Sequence, residues 1–233
     1  MNILIVKLSA IGDVIHTLPS LAALRRHDPG ADITWVVEEA AADLLRGHPH
    51  LDRLIVSGRK RWQADLKRGR IRPALRETAA FLKALRARPY DLVIDFHGLF
   101  KSAILVGLSG GKRKLGYDSL QEGSGLFYTE TIPEDLSRHA VDRYLDFPRY
   151  LGIEVGAAEF PIPEGEEDRS RIDALLKDGG VAPRDPFVAV SPVALWDTKL
   201  WDEARFSRLG DRIRRELDLP VVLTDAEAGC TSR

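Results

Sequence analysis

The sequence predicts an α/β protein built on a parallel sheet. Runs rich in β-branched residues alternate with stretches of helical apolar spacing through residues 1–150. The 233 residues suffice for one large domain or two ordinary ones. Asp13 and Asp95 each stand where a predicted strand gives way to a helix. Because ligands bind beyond the carboxyl ends of strands in open α/β sheets, these two turns are the first candidates for chemistry.

The predicted elements of the first part follow from apolar patterning and turn residues. Strands are predicted at residues 3–6, 33–37, 54–56, 92–94 and 114–116. Helices are predicted at residues 14–27, 40–45, 73–87, 101–108 and 137–151. The helix at 73–87 has a proline in its first turn and an apolar side of the kind that faces a core, formed by Leu75, Ala79, Leu82 and Leu85.

These elements predict two domains. The first spans residues 1–155, and the segment 156–186, acidic and irregular around a helix at 170–177, reads as a linker. A second α/β domain, 187–233, would contain strands at 187–190 and 219–224 and a helix at 203–216. Because two strands and one helix cannot cover both faces of a parallel sheet, this second domain is predicted to be incomplete. The last nine residues, DAEAGCTSR, read as a frayed tail.

Composition excludes several classes of protein. An apolar share of 44% and a charged share of 30% fit a soluble globular protein, and no run approaches the ~20 apolar residues of a membrane span. The N-terminus, MNILIVK, is a poor secretory signal, and the single Cys230 excludes an internal disulfide framework. A cytoplasmic protein is the simplest expectation. The net charge of −1 gives no reason to expect a nucleic-acid partner.

Basic residues are nevertheless concentrated locally. The stretch RKRWQADLKRGRIR, residues 59–72, holds seven basic residues and one acid, and GKRK follows at 111–114. Both could be solvated loops. Alternatively, they form a surface for an anionic partner, with Trp62 adding an apolar contact, and charge alone leaves heparin- or RNA-like targets open.

Two turns carry the candidate chemistry. Asp13 follows the first strand, where it could cap a helix or serve as a base. The turn DFHGLFKS, residues 95–102, repeats the arrangement with a histidine that could be structural and a lysine and serine that could bind an anion. The sequence contains no Walker loop, no GxGxxG after the first strand, and no HExxH or GxSxG. Acids near strand ends therefore favour group transfer over redox chemistry or metal hydrolysis.

A third loop joins a strand to a helix in the second domain. It reads SPVALWDTKLW, residues 191–201, and places a lysine where a nucleotide diphosphate would meet backbone amides. An exposed loop with a packed tryptophan pair is the simpler interpretation of this segment alone.

Six segments together resemble one family, the lipopolysaccharide heptosyltransferases of glycosyltransferase family nine. They are VKLSAIGDVIHTLPSL (6–21), WVVEE (35–39), RKRW (59–62), YDLVIDFHGLFKSA (90–103), HAVDRY (139–144) and TKLW (198–201). The similarity runs from residue 1 to about 224. Its specific part is the pairing of the GDV turn with the D-x-x-G-L-x-K-S turn, because each alone is weak.

The resemblance implies a GT-B architecture with an acceptor-binding and a nucleotide-sugar-binding Rossmann-like domain. It implies inverting, metal-independent transfer of heptose from ADP-heptose to Kdo of Kdo-lipid A in the lipopolysaccharide inner core of Gram-negative bacteria. The expected partners are these two substrates, with no cofactor and no obligate protein partner. The expected location is the cytoplasm, with electrostatic, reversible attachment to the inner leaflet.

The resemblance also assigns roles to residues. Asp13 would be the catalytic base. The implied acceptor-binding residues are Ser9, Gly12, Lys60, Arg61, His97, Lys101 and Arg143. The implied donor-binding residues are Thr198 and Lys199.

Because the family extends well beyond residue 224, we expect an intact acceptor half and a truncated donor half. The alternatives are an inactive remnant, an acceptor-binding module, or the related transferase that adds the second heptose.

Overall fold

The apolar run Ile3–Val6 is completely buried because it lies in the middle of a parallel sheet. Its strand, β1 (Asn2–Val6), pairs in parallel with β2 (Asp32–Glu38) on one side and β4 (Leu92–Asp95) on the other. Such a strand is covered on both faces, which explains why it reads as an uninterrupted apolar run. The uninterrupted apolar run therefore indicates both a strand and its position in the middle of the sheet.

The computed structural model describes residues 1–119, 121–182, 184–193, 198 and 200–224. The chain divides into two compact units, Met1–Pro163 and Glu164–Arg233, and the boundary falls within the segment predicted as a linker. The remaining strands of the first unit are β3 (Arg53–Ser57), β5 (Arg113–Tyr117) and β6 (Glu130–Ile132). Its α-helices are α1 (Ile11–His27), α2 (Arg59–Lys67), α3 (Ile71–Leu85), α4 (Phe100–Leu108), α5 (Ala140–Tyr144) and α6 (Asp146–Tyr150).

The six strands of the first unit form one parallel sheet in the order β3-β2-β1-β4-β5-β6. From β1 the chain adds β2 and then β3 on one side. It then returns to the other side of β1, where it adds β4, β5 and β6. The direction reverses between β1 and β4, and the crevice at such a switch point is the usual ligand site of an open α/β sheet. This order is that of a Rossmann-like domain, the type that the family resemblance implies for the first domain.

Alternate residues of the strands supply two separate cores. Ile3, Ile5 and Trp35 belong to the core on one face. Leu4 and Val6 belong to the core on the other face, which includes Phe81 and Leu85 of α3. The helices that follow the strands are thus packed on both faces, as a parallel sheet requires.

Helix α3 buries only part of the side that its apolar spacing predicts, because Leu82 and Leu85 pack on the core and Leu75 and Ala79 do not. Leu75 is 61% exposed, whereas Ala74, Phe81 and Leu85 are buried. The prediction for Leu75 and for the exposed Ala79 is therefore wrong. The ring of Phe81 packs edge to face against Trp62 of α2, with centroids 5.4 Å apart, so the buried side of α3 extends toward that helix.

The basic stretch 59–72 is helical rather than a loop. Its first nine residues form α2, and its last two begin α3. The single helix predicted at 137–151 is likewise two short helices, α5 and α6, separated by Leu145. Strand β6 was not predicted, because its three residues are too short for an alternation pattern.

The second unit is described by itself. Strands β7 (Val188–Val190) and β8 (Val221–Leu223) pair in parallel, and helices α7 (Glu166–Asp178) and α8 (Glu203–Leu217) precede and join them. Several large apolar side chains around this small sheet are exposed, namely Ile172, Leu175, Phe187 and Leu223.

Candidate active site

The candidate site lies at the switch point, beyond the carboxyl ends of β1 and β4. Helix α1 begins five residues after β1 ends, and α4 begins five residues after β4 ends. The two turns contact each other, because Lys101 Nζ donates a hydrogen bond of 3.5 Å to Ser9 Oγ. The two turns that the sequence singled out are therefore neighbours in space.

Asp13 stands in the first turn of α1 and is half-buried. Its Oδ2 accepts a hydrogen bond of 3.2 Å from the backbone N–H of Ala10. The neighbouring Gly12 is exposed, and a Cβ placed there would meet nothing within 4 Å. The glycine is thus not required by packing, and it leaves an open approach beside the carboxylate.

Asp95 ends β4 and has the opposite environment. It is completely buried, and its Oδ1 accepts from the backbone N–H groups of His97 at 2.8 Å and Gly98 at 3.2 Å. Its Oδ2 accepts from the Tyr128 hydroxyl at 2.8 Å. Gly98 has a φ of +70°, a left-handed conformation that favours glycine and lets the turn close over the carboxylate. Burial raises the pKa of Asp95, and the hydrogen bonds partly offset that effect.

Lys7 is a component of the site that the sequence reasoning missed. It follows β1 directly and is only 3% exposed. Its Nζ donates to the carbonyl of Phe96 at 2.9 Å and to the Tyr144 hydroxyl at 2.6 Å. Burial lowers the pKa of Lys7 to about 8, although the charges of Asp13 and Asp95 act in the opposite direction. The sequence feature that could have identified Lys7 is its position directly after an apolar strand.

His97 lies between these charged groups. Both of its ring nitrogens are buried, and neither has a hydrogen-bond partner within the described part of the chain. Burial, followed by the charges of Lys7 and Lys101, lowers the pKa of His97 to about 3. The imidazole is therefore neutral at pH 7 and can donate or accept a hydrogen bond there without carrying charge.

A second layer of polar groups comes from α5 and the strands beside it. Arg143 forms an ion pair with Glu134, and both side chains are largely buried. The Nε of Arg143 and the hydroxyl of Tyr117, at the end of β5, are buried and find no hydrogen-bond partner among the described residues. The charge of Arg143 lowers the pKa of Lys7, so Arg143, which was predicted to bind the acceptor, belongs to the same cluster.

Lys60 and Arg61 stand apart from that cluster, at the start of α2. Lys60 Nζ lies 3.7 Å from Glu38 Oε2, at the end of β2. Arg61 pairs with Glu39 at 3.0 Å and with Glu77 at 3.1 Å. They share the carboxyl edge of the sheet with Asp13, but acidic partners already offset their charge.

The two predicted donor residues fall in the second unit. Thr198 is exposed, and Lys199 lies outside the described residues. Within the described ranges, no group of three or more His, Cys, Asp or Glu side chains could hold a metal ion. None of the helices described is long and apolar enough to cross a membrane.

The arrangement suits transfer of a proton to a carboxylate beside an anionic substrate. Asp13 is the accessible acid, and Asp95 is enclosed by its donors. Lys7, Lys101 and Arg143 supply positive charge close to these acids. Such a crevice attracts carboxylates and phosphates.

Comparison with known proteins agrees with this architecture. Residues 78–228 match the sequence profile of "Glycosyltransferase family 9 (heptosyltransferase)". The chain is 36% identical over 218 residues to "Lipopolysaccharide heptosyltransferase 1" of Pseudomonas aeruginosa, covering 91% of this chain and 58% of that protein. It is 33% identical to the Salmonella typhimurium protein of the same name, with 64% of that protein covered. The chain thus spans about three-fifths of the length of these relatives.

Solved structures show the same similarity. "E. coli heptosyltransferase WaaC with ADP-2-deoxy-2-fluoro heptose" matches with a TM-score of 0.76 and 31% identity, covering 98% of this chain and 70% of that one. A glycosyl transferase of family 9 from Veillonella parvula matches with a TM-score of 0.79 and 25% identity, covering 95% of this chain and 61% of that one. These matches confirm the predicted α/β fold class of GT-B type. The chain belongs to glycosyltransferase family 9, the heptosyltransferases.

Proposed function

We propose that this chain carries the acceptor half of an inverting heptosyltransferase that transfers heptose from ADP-heptose to Kdo of Kdo-lipid A. The observation that carries the proposal is the accessible Asp13 carboxylate at the switch point, opposite the turn of His97 and Lys101. Membership of family 9 and the similarity to a protein solved with an ADP-heptose analogue support it.

In the proposed mechanism, Asp13 is the general base. Its carboxylate accepts the proton of the Kdo hydroxyl while that oxygen attacks the anomeric carbon of the heptose. The new carbon–oxygen bond forms on the face opposite the bond to ADP, which breaks, and ADP leaves with the bonding electrons. A single base and an in-line approach suffice for inversion, so the second buried acid, Asp95, is not needed as a nucleophile.

The cations around Asp13 would hold the acceptor. Lys101 and Arg143 line the crevice, and Lys7 lies beneath it, so that carboxylate and phosphate groups of the acceptor meet positive potential. Ser9, Gly12 and His97 would supply short-range contacts, because they belong to the two facing turns. Lys60 and Arg61 would reach the acceptor from α2 by exchanging their carboxylate partners for its anionic groups.

On the donor side, Thr198 and Lys199 would meet the diphosphate of ADP-heptose. A lysine there would offset the charge that develops on the leaving ADP. We further propose that the protein works in the cytoplasm, at the inner leaflet that displays the acceptor, without an obligate protein partner or a metal.

Replacement of Asp13 tests the proposed base. Asp13→Asn keeps the shape and hydrogen bonding of the side chain but removes its basicity, so the rate of heptose transfer should fall by about 10²–10⁴-fold. Asp43→Asn is a matched control, because Asp43 is 92% exposed and pairs with Arg46 at the surface. In a preparation whose wild type transfers heptose at a measurable rate, an Asp13→Asn protein with the same rate overturns the assignment.

Two further measurements separate the alternatives. Calorimetry with ADP-heptose should detect no binding near the micromolar range if this chain is an acceptor-binding module or remnant. Kdo-lipid A as acceptor, against the same lipid already carrying one heptose, separates first from second transfer. The 36% identity to a relative named heptosyltransferase 1 favours the first.

A further inference from the structure

The tip of the α2–α3 hairpin, residues 66–76, combines exposed apolar and basic side chains. Leu66, Ile71 and Leu75 are 48%, 55% and 61% exposed. Ile71 and Leu75 lie one turn apart on α3 and therefore on the same side of the helix. Leu75 belongs to the set that the sequence pattern assigned to the core, but it is exposed like Leu66 and Ile71, so core packing does not explain these side chains.

Cations surround these apolar side chains. Lys67, Arg68, Arg72 and Arg76 are all exposed, and none of them forms an ion pair with another described residue. Arg70 lies 3.8 Å from Asp65. The base of the hairpin differs, since there Arg59, Lys60 and Arg61 are each paired with glutamates. Unpaired positive charge is therefore concentrated at the tip.

The tip lies on the side of the sheet that carries Asp13. Trp62 Nε1 donates to Glu77 Oε2 at 2.9 Å, so the start of α2 lies beside the middle of α3 and the two helices are antiparallel. Helix α3 leads to the beginning of β4 and thus runs toward the amino edge. Helix α2 consequently runs away from the sheet beyond its carboxyl edge, and the turn at 68–70 projects there.

We propose that this hairpin tip docks the protein on an anionic phospholipid bilayer. Leu66, Ile71 and Leu75 enter the headgroup region, while Lys67, Arg72 and Arg76 contact lipid phosphates. An apolar stripe beside a basic stripe on a helix surface is the pattern of interfacial membrane helices. The proposal rests on the proposed function only in that a membrane glycolipid acceptor gives the docking a purpose.

The composition of the tip favours a bilayer over a soluble polyanion. Nucleic acids and heparin engage cations but make no use of three exposed aliphatic side chains, whereas a lipid surface binds both kinds of group. The net charge of the whole chain is −1, so the protein as a whole is not drawn to anionic surfaces. Attraction must therefore come from this patch.

Vesicle co-sedimentation tests the proposal with the full chain. The vesicles contain equal parts of phosphatidylglycerol and phosphatidylcholine, or phosphatidylcholine alone. We expect binding to the anionic vesicles that weakens with salt. Arg72→Glu/Arg76→Glu should lower the partition coefficient at least about tenfold, since each basic residue near such a surface contributes roughly fivefold. Ile71→Ser/Leu75→Ser should lower it by about tenfold at unchanged charge.

Matched controls keep the comparison specific. Arg171→Glu/Arg208→Glu changes the net charge equally at exposed positions of the second unit, and Leu136→Ser removes a leucine that is 66% exposed in the first unit. Both should bind like the wild type. Equal loss in the controls, equal binding to neutral vesicles, or a preference for soluble heparin over vesicles overturns the proposal.

Quenching of tryptophan fluorescence by brominated lipids tests insertion of the hairpin tip directly, without relying on a variant that loses binding. Leu75→Trp should add fluorescence that brominated lipids quench, whereas Leu136→Trp should not, and absence of quenching overturns insertion. These vesicles contain no sugar acceptor. Asp13→Asn should therefore bind them normally, so failure of docking and failure of the proposed transfer are distinguishable.

Discussion

Two aspartates lie in the two strand-to-helix connections at the switch point and have opposite environments, Asp95 as the last residue of β4 and Asp13 in the first turn of α1. Asp13 and Asp95 each stand near the carboxyl end of a central strand, beside the start of the next helix. Asp13 is half-buried and accepts a 3.2 Å bond from the N–H of Ala10. Asp95 is completely buried and accepts from two backbone N–H groups and a tyrosine hydroxyl.

The difference shows which of the two carboxylates is placed to meet a substrate and which is placed to hold its turn. A carboxylate enclosed by three donors holds its turn in shape, but it has no open side for a substrate. A carboxylate with spare acceptor capacity and an open approach can receive a proton from one. Position in the fold identifies both turns as candidates, and only the surroundings separate their roles.

Replacing Asp95 should have the largest effect on stability. Asp95→Ala leaves the N–H groups of His97 and Gly98 and the Tyr128 hydroxyl without their acceptor in a buried site. The free energy of unfolding should fall by about 3 kcal/mol or more, because each buried group that loses its partner costs about 1–3 kcal/mol. Urea denaturation measures it. Asp95→Asn retains an acceptor oxygen and should lose less, and equal losses for the two variants would contradict this account.

His97 should make the protein sensitive to acid. Its folded pKa of about 3 lies below the ordinary value of 6.5, so the unfolded chain binds more protons between these values. Stability contributed by the neutral ring is present above pH 6.5 and is lost as pH falls toward 3. Between pH 7 and 4, His97 should account for about 3 kcal/mol of lost unfolding free energy.

The comparison of His97→Gln with the wild type isolates this contribution. The variant should lose less stability than the wild type over the same pH range, as followed by urea denaturation at each pH. His27→Gln is the control, because His27 is an exposed histidine at the end of α1. Parallel pH profiles for wild type and His97→Gln would show that the ring is not held neutral by its surroundings.

The sequence predicted the first unit well where the signal was local. The central strands are recognisable in the sequence as apolar runs. The two turns with Asp13 and Asp95 directly follow such runs, so it was predictable that the turns meet at the switch point. Lys7 was missed because a lysine after a strand is ordinarily solvated. Its burial depends on Tyr144 and Phe96, which lie far away in the sequence.

In the α2–α3 hairpin, by contrast, a local pattern led to a wrong prediction of burial. Apolar spacing put Leu75 on the buried side of α3, yet Phe81 and the contact with Trp62 decide which side is buried. A stripe of leucines reports that a helix has an apolar side. It does not show which side of α3 is buried once α2 packs against it. Helix α2 was not predicted, because its sequence is a run of charged residues.

The buried Lys7 should make the stability of the protein rise with pH above neutrality. Its folded pKa of about 8 lies below the ordinary value of 10.5, so the unfolded chain binds more protons between them. The cost of burying the ammonium is present in full below pH 8 and is relieved as pH rises. From pH 7 to 9.5 the wild type should gain about 2 kcal/mol relative to Lys7→Met. Lys60→Met, at a position that is 72% exposed, should track the wild type.

Removal of Asp13 should have the smallest effect on stability, and that effect sharpens the contrast with Asp95. Asp13→Ala loses the hydrogen bond to the N–H of Ala10 and a negative charge in the first turn of α1, which together stabilise by about 0.5–1 kcal/mol. Urea denaturation of Asp13→Ala beside Asp95→Ala gives both values under one condition. A loss for Asp13→Ala as large as for Asp95→Ala would mean that Asp13 is chiefly a structural cap. A small loss, combined with loss of heptose transfer in Asp13→Asn, would show that this carboxylate is kept for chemistry.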